Sequence, residues 1–127
     1  MKGAQRMNEG EAEAIVLNLI VHGGDAKSFA IEAIEAARRG EFGRADDLMR
    51  QSTGALNEAH EFQTKQIRKE VAGDVHEPMT MLMVHGQDHL MNAITVHDLA
   101  QQIVGLCKQL VESTPEKKSV VREVREE

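Results

Sequence analysis

Aromatic side chains are almost missing from this chain, which has no Trp, no Tyr and three Phe. A core without them is built from Leu, Ile, Val, Met and Ala, which suits packed helices better than a sheet that leans on aromatic and β-branched residues. The same scarcity removes the stacking platform of a nucleic-acid groove. With 15 basic against 21 acidic side chains the formal charge is −6, so a phosphate backbone is not an expected partner. One cysteine, Cys107, cannot form an internal disulfide and agrees with a reducing compartment. No apolar run near 18 residues stands out, and the N-terminus lacks the apolar segment of a secretory signal. Neither a membrane span nor secretion is therefore expected, and a cytoplasmic location is. At 127 residues the chain has room for one domain, 1–127, with a sizeable core.

Apolar periodicity divides that domain into three helical stretches. Met1 to Met7 is a polar lead expected to fray. Helical character starts near Asn8 or Glu9, where Glu9, Glu11 and Glu13 suit the positive end of the helix dipole. Ile15, Leu19, Ile20, Phe29, Ala30, Ala33 and Ala37 continue the spacing. Gly23-Gly24 admits either a break with a new helix from Asp25 or one long helix. The second is favoured, because small residues at Gly23, Gly24 and Ala26 admit close approach of a neighbour. Arg38-Arg39-Gly40 is a stop signal, with basic side chains near the last carbonyls and Gly for a left-handed cap.

A second helix is predicted from Phe42 or Gly43 to Val71, with Ala45, Leu48, Met49, Ala55, Leu56, Ala59, Phe62 and Ile67 on its apolar face. Gly73-Asp74 marks the next turn. Of the two prolines, Pro78 fits the first position of a third helix and Pro115 lies beyond its end near Glu112. The helical core spans about 8–112, and the charged tail at about 113–127 reads as a loose helical extension or a disordered segment. The fold class is all-α, a bundle of three long antiparallel helices.

Within the third helix, Leu82-Met83-Val84-His85-Gly86-Gln87-Asp88-His89-Leu90-Met91-Asn92 interrupts an apolar run with five polar residues. At about 100° per residue, Met81, His85, Asp88 and Asn92 share one stripe, while Met83, Gly86, Leu90, Ala93 and Ile94 lie on the neighbouring packing side. An imidazole and a carboxylate thus project together, and the imidazole can act as base, nucleophile or ligand. The Met-rich set Met79, Met81, Met83 and Met91 reads first as helix core, with a second possible role as an adaptable docking surface near His85.

The run resembles the signature helix of the enzyme IIA subunits of the lactose/chitobiose-type sugar phosphotransferase system, whose motif reads close to V-H-A-Q-D-H-L-M, with Gly86 here where Ala is usual. Gly24-Asp25-Ala26-Lys27-Ser28, Ala45-Asp46-Asp47-Leu48-Met49 and Glu58-Ala59-His60-Glu61-Phe62-Gln63-Thr64 match further family pieces in order, so the resemblance covers roughly Asn8 to Val111. It implies a cytosolic phosphoryl carrier in which His85 takes phosphate from phospho-HPr and passes it to the cysteine of a IIB subunit. That IIB phosphorylates a disaccharide during import by the membrane IIC subunit. A neutral imidazole offers a lone pair for attack on phosphorus and yields a labile phosphoramidate, whereas a Ser or Thr ester would be too inert to relay.

The resemblance further implies a homotrimer, with Asp88 from three subunits brought around a metal such as Mg²⁺ that offsets their repulsion. His89, Gln87 and Asn92 are expected to support the site, as are His60 and Gln63 from the second helix, which either line it or satisfy polar groups between helices. Two other readings compete. One is a regulatory or interaction subunit that keeps the bundle and uses His85 structurally. The other is a zinc hydrolase built on the i, i+4 pair His85 and His89, which lacks the Glu that His-Glu-x-x-His requires as general base.

Overall fold

Glycine closes the first helix where the sequence predicts. The computed structural model describes residues 9–73 and 80–113, which form three helices: α1 (Glu9–Arg38), α2 (Phe42–Ala72) and α3 (Met81–Ser113). Gly40 has φ 80°, its N–H donates to Ala37 O at 3.0 Å and the Glu41 N–H donates to Ala36 O at 2.9 Å. These paired bonds satisfy two carbonyls that the helix end would otherwise orphan. Arg39 Nε donates to Glu41 Oε2 at 2.6 Å across the turn, and this bond with its opposite charge raises the guanidinium pKa. The second helix ends the same way, at Gly73 with φ 74°.

The predicted start of the third helix is corrected. Its first helical residue is Met81, and Thr80 precedes it as a cap, accepting the Met83 N–H on its hydroxyl at 3.1 Å. A hydroxyl cap fills an orphan donor, which proline could only have left out. Pro78, Met79, the Asp74 turn residue, the lead before Glu9 and the tail from Thr114 lie outside the described residues.

No break occurs at Gly23-Gly24, and α1 runs through as one helix. A Cβ on Gly23 would stand 3.4 Å from the carbonyl carbon and oxygen of His89 and 3.5 Å from Leu90 Cα, in contact with main-chain atoms, so the α1 and α3 backbones approach closely here. Alanine does the same work elsewhere. Ala26, Ala30, Ala33, Ala36, Ala45, Ala59, Ala93 and Ala100 are all fully buried. One core cluster joins Ala30, Ala33, Phe42, Leu48, Met49 and Val104 near the α1–α2 turn, and a smaller one of Leu19, Ala59 and Leu90 lies nearer the other end. By length and apolar composition alone, Glu13–Arg38 is sufficient to cross a membrane, contrary to the expectation that no stretch qualifies. In the bundle its Leu19, Ala26, Ala30 and Ala33 are core residues packed between the helices.

Cross-helix bonds fix the register. Ser52 Oγ donates to Ala26 O at 2.7 Å between α2 and α1, and α2 meets α3 at Asp46–Lys108, Thr53–His97 and Gln63–Gln87, numbers that rise on one helix as they fall on the other. The two are therefore antiparallel, as are α1 and α2, and α1 runs parallel to α3. On α2 the predicted apolar face holds at Ala45, Leu48, Met49 and Ala59, with Ala55, Leu56 and Phe62 half-buried. Ile67, however, is 50% exposed and Gln66 is buried instead. Seven residues bring Gln66 within roughly 20° of Ala59 on the helix, whereas Ile67 is turned about 80° away.

Candidate functional site

Packing along α3 decides which motif residues face solvent. Gly86, Leu90 and Ala93 are buried, with Met83 and Ile94 half-buried beside them, as the packing side requires. A Cβ on Gly86 would meet Val16 Cγ1 at 3.5 Å and Leu19 Cβ and Cδ1 at 3.6 Å, ordinary contacts with α1. Turning this face inward sends His85 and Asp88 outward, where both are exposed. Asp88 lies beside the packing side in sequence. In the single chain it stands on an outward stripe.

That stripe continues along the whole helix. Met81, Val84, Asp88, Met91, Thr95, Leu99, Ile103, Leu106 and Leu110 follow one another at steps of three or four and are all exposed. The reading of the methionines as core is corrected accordingly: Met81 is 85% exposed and Met91 53%, because both fall on this outer row, and among the described members Met83 alone turns partly inward. Such a row of mostly apolar side chains with a single carboxylate in it is a face left exposed by the described residues.

The two motif histidines meet one helical turn apart. His85 Nε2 lies 3.1 Å from His89 Nε2, with the rings edge to face at 74° and their centroids 4.5 Å apart. Two neutral imidazoles can share this contact only if one presents N–H and the other its lone pair. His89 is half-buried, backed by Gly23, and forms one wall of an open groove of about 670 Å³ between α1 and α3. Gly24, Lys27, Ser28, Glu32, Asp88 and Asn92 line the same groove. Asn92 Nδ2 donates to Asp88 Oδ2 at 3.1 Å, tying the amide to the carboxylate. Gln63 Nε2 donates to Gln87 Oε1 at 2.8 Å, so the α2 motif reaches the α3 motif through this pair of amides.

His60 is not brought to His85. It is exposed on α2 and lines a separate shallow groove with Asn57, Glu61, Thr64, Lys65 and Arg68. Among the described residues, no group of three or more His, Cys, Asp or Glu converges, so the hydrolase reading has no complete ligand set. Sequence reasoning passed over His97, which is 8% exposed. Its Nε2 lies 2.9 Å from Thr53 Oγ1 and its Nδ1 3.1 Å from Asp98 Oδ1, a satisfied histidine between α2 and α3. Lys27 lines the groove from α1. Its place across the groove from the α3 motif depends on how the helices pack, and no local pattern signals it.

A bundle of three helices with an exposed histidine and its half-buried partner on one flank, and an exposed apolar row beside them, defines the class of protein. The family described as "PTS system, Lactose/Cellobiose specific IIA subunit" matches residues 14–108. The lichenan-specific phosphotransferase enzyme IIA component of Bacillus subtilis is 45% identical over 106 residues, 84% of this chain and 94% of that one. The crystal structure of the cellobiose-specific enzyme IIA from Bacillus anthracis superposes with a TM-score of 0.78 at 42% identity, covering 85% of this chain and 96% of the other. A solution structure of the IIA(Chitobiose)–HPr complex superposes with a TM-score of 0.67 at 37% identity, covering 77% and 94%. The chain belongs to the lactose/cellobiose IIA family, and it is a IIA component of a sugar phosphotransferase system.

Proposed function

We propose that the chain carries a phosphoryl group on His85, taking it from phospho-HPr and giving it to the cysteine of a IIB subunit. The IIB would phosphorylate a disaccharide of the lactose, cellobiose or diacetylchitobiose type as the membrane IIC subunit imports it, with this chain in the cytoplasm. The observation that carries the reading is the exposed His85, in the family motif, with its Nε2 facing His89 Nε2 at 3.1 Å. The solved complex of a chitobiose relative with HPr supports the donor.

Two proteins must reach one nitrogen in turn, and an exposed imidazole permits that. In the first transfer the lone pair of His85 forms an N–P bond as the donor's P–N bond breaks, and the donor imidazole keeps the electron pair. In the second, the IIB thiolate forms an S–P bond as the N–P bond of His85 breaks. The protein's task is alignment and charge stabilisation. His89, with its N–H turned to the shared side, donates to a phosphoryl oxygen. Gln87, braced by Gln63, supports the helix turn between the two histidines.

The outer row of α3 beyond Met81 supports a homotrimer in which three copies bury Val84, Met91, Leu99, Ile103, Leu106 and Leu110 about a three-fold axis, leaving Met81 at the rim. Asp88 is the one charged side chain in that row, so three carboxylates would converge. Their oxygens, each steadied by Asn92, suit Mg²⁺, which would offset their repulsion. Incubation with phosphoenolpyruvate, enzyme I and HPr, followed by mass measurement, tests the carrier reading. One acid-labile phosphate is expected on the wild type and none on His85→Ala of equal helical content. A phosphate mapped to His89 or His60 would overturn it.

A further inference from the structure

The geometry of His85 and His89 points to a second ligand for this pair: we propose that they chelate a borderline-soft divalent metal, Zn²⁺, which excludes the phosphoryl group from His85. The metal site rests on the structure alone, and only the exclusion rests on the carrier function proposed above. Zinc binds imidazole nitrogen at about 2.0–2.1 Å. Two nitrogens 3.1 Å apart would then subtend an N–Zn–N angle of roughly 95–100°, and opening the pair by about 0.3 Å gives the tetrahedral value. His85 is exposed, so its ring has room to make that adjustment.

The exchange is balanced without net proton release. In the resting contact one imidazole holds its proton on Nε2 and the other presents a lone pair there. Zinc takes both lone pairs once the first ring moves its proton to Nδ1. Among the described residues no third His, Cys, Asp or Glu joins the pair, so water fills the remaining positions. An open two-point chelate of this kind is exchangeable and differs from a closed structural site. It also differs from the carboxylate site proposed on the α3 row, since imidazole suits zinc and carboxylate oxygens suit Mg²⁺.

While zinc is bound, the nitrogen lone pair needed for attack on phosphorus is taken. Conversely, a phosphoryl group on His85 Nε2 leaves His89 as a single ligand, and chelation is lost. The two occupants are mutually exclusive, so free zinc would hold the carrier unphosphorylated.

Calorimetric titration of the full chain with ZnCl₂ in excess Mg²⁺, together with long-range ¹⁵N histidine spectra, tests the assignment. One zinc per chain is expected, with the Nε2 resonances of both His85 and His89 shifted. His85→Gln and His89→Gln should each weaken binding about tenfold or more while keeping the helical content. One zinc per three chains, or full affinity in His89→Gln, would overturn the site. With phospho-HPr as donor, added zinc should slow phosphate uptake and a chelator should restore it, and equal zinc affinity of the phosphorylated and free chains would overturn the exclusion. A chain that binds zinc at both histidines but never takes up phosphate would sink the carrier reading and leave the metal site standing.

Discussion

Replacing Gly86 with alanine should stabilise this protein, and the same exchange at Gly23 should gain less. Both glycines are interior helix positions buried between α1 and α3. Each substitution removes the backbone freedom that makes glycine about 1 kcal/mol worse than alanine in a helix. At Gly86 the new methyl would find Val16 Cγ1 at 3.5 Å and Leu19 carbons at 3.6 Å, ordinary contact distances in an apolar pocket. Burying it adds up to about 0.8 kcal/mol, for a total gain of roughly 1–2 kcal/mol. At Gly23 the methyl meets main-chain atoms of His89 and Leu90 at 3.4–3.5 Å, which cannot rotate aside. These are contacts at the short end of the ordinary range, but they are made against a carbonyl rather than an apolar pocket, so the methyl adds little burial and the gain falls below that at Gly86. Urea unfolding followed by circular dichroism, at one protein concentration for all three chains, reads the difference. The midpoint of Gly86→Ala should rise by roughly 0.5–1 M with unchanged slope, and that of Gly23→Ala should rise by less. A lower midpoint for Gly86→Ala, or a Gly23→Ala chain as stable as Gly86→Ala, would refute the packing argument.

Three other outcomes follow from the same geometry. Chelation of Mg²⁺ should weaken the proposed trimer, whereas Asp88→Leu should make it indifferent to chelator and at least as strong, because symmetry removes all three carboxylates together and orphans none; sedimentation of both chains with and without chelator decides it, and a wild-type trimer indifferent to chelator refutes the metal bridge. Met81→Glu should slow transfer from HPr and to IIB alike by desolvating a charge at a docked surface, so unchanged rates with both partners would remove this 85% exposed side chain from the contact. Ser52→Ala should cost about 1 kcal/mol in the same urea assay through loss of the buried bond to Ala26 O, and a neutral result would show that bond contributes nothing net.

The helices and most of their ends were legible because the signals are local. Gly40 and Gly73 take positive φ where the sequence places a stop, since only the absence of a Cβ makes that conformation cheap. The start of α3 was misplaced because a proline at a first turn and a threonine cap are both permissible, and residue spacing does not choose between them. The motif on α3 likewise showed His85 and His89 one turn apart, a fact of helix geometry that needs no neighbour.

What the amino-acid order determined by itself, then, is everything set by a period of 3.6: three helices, the packing side at Gly86, Leu90 and Ala93, and a histidine pair on one flank. Tertiary structure decided which of the remaining faces meets water. Met81 and Met91 read as core by composition, yet they are exposed because α1 and α2 together cover only part of α3. Gln66 rather than Ile67 continues the buried row through Ala59, a polar side chain that apolar patterning alone leaves outside. The meeting of Gln63 with Gln87, the groove that sets Lys27 across from the α3 motif and the separation of His60 from His85 all depend on contacts between residues far apart in sequence. Helical periodicity constrains each residue against its near neighbours and says nothing about the register of one helix on another, which close packing of Gly23 and the buried alanines settles.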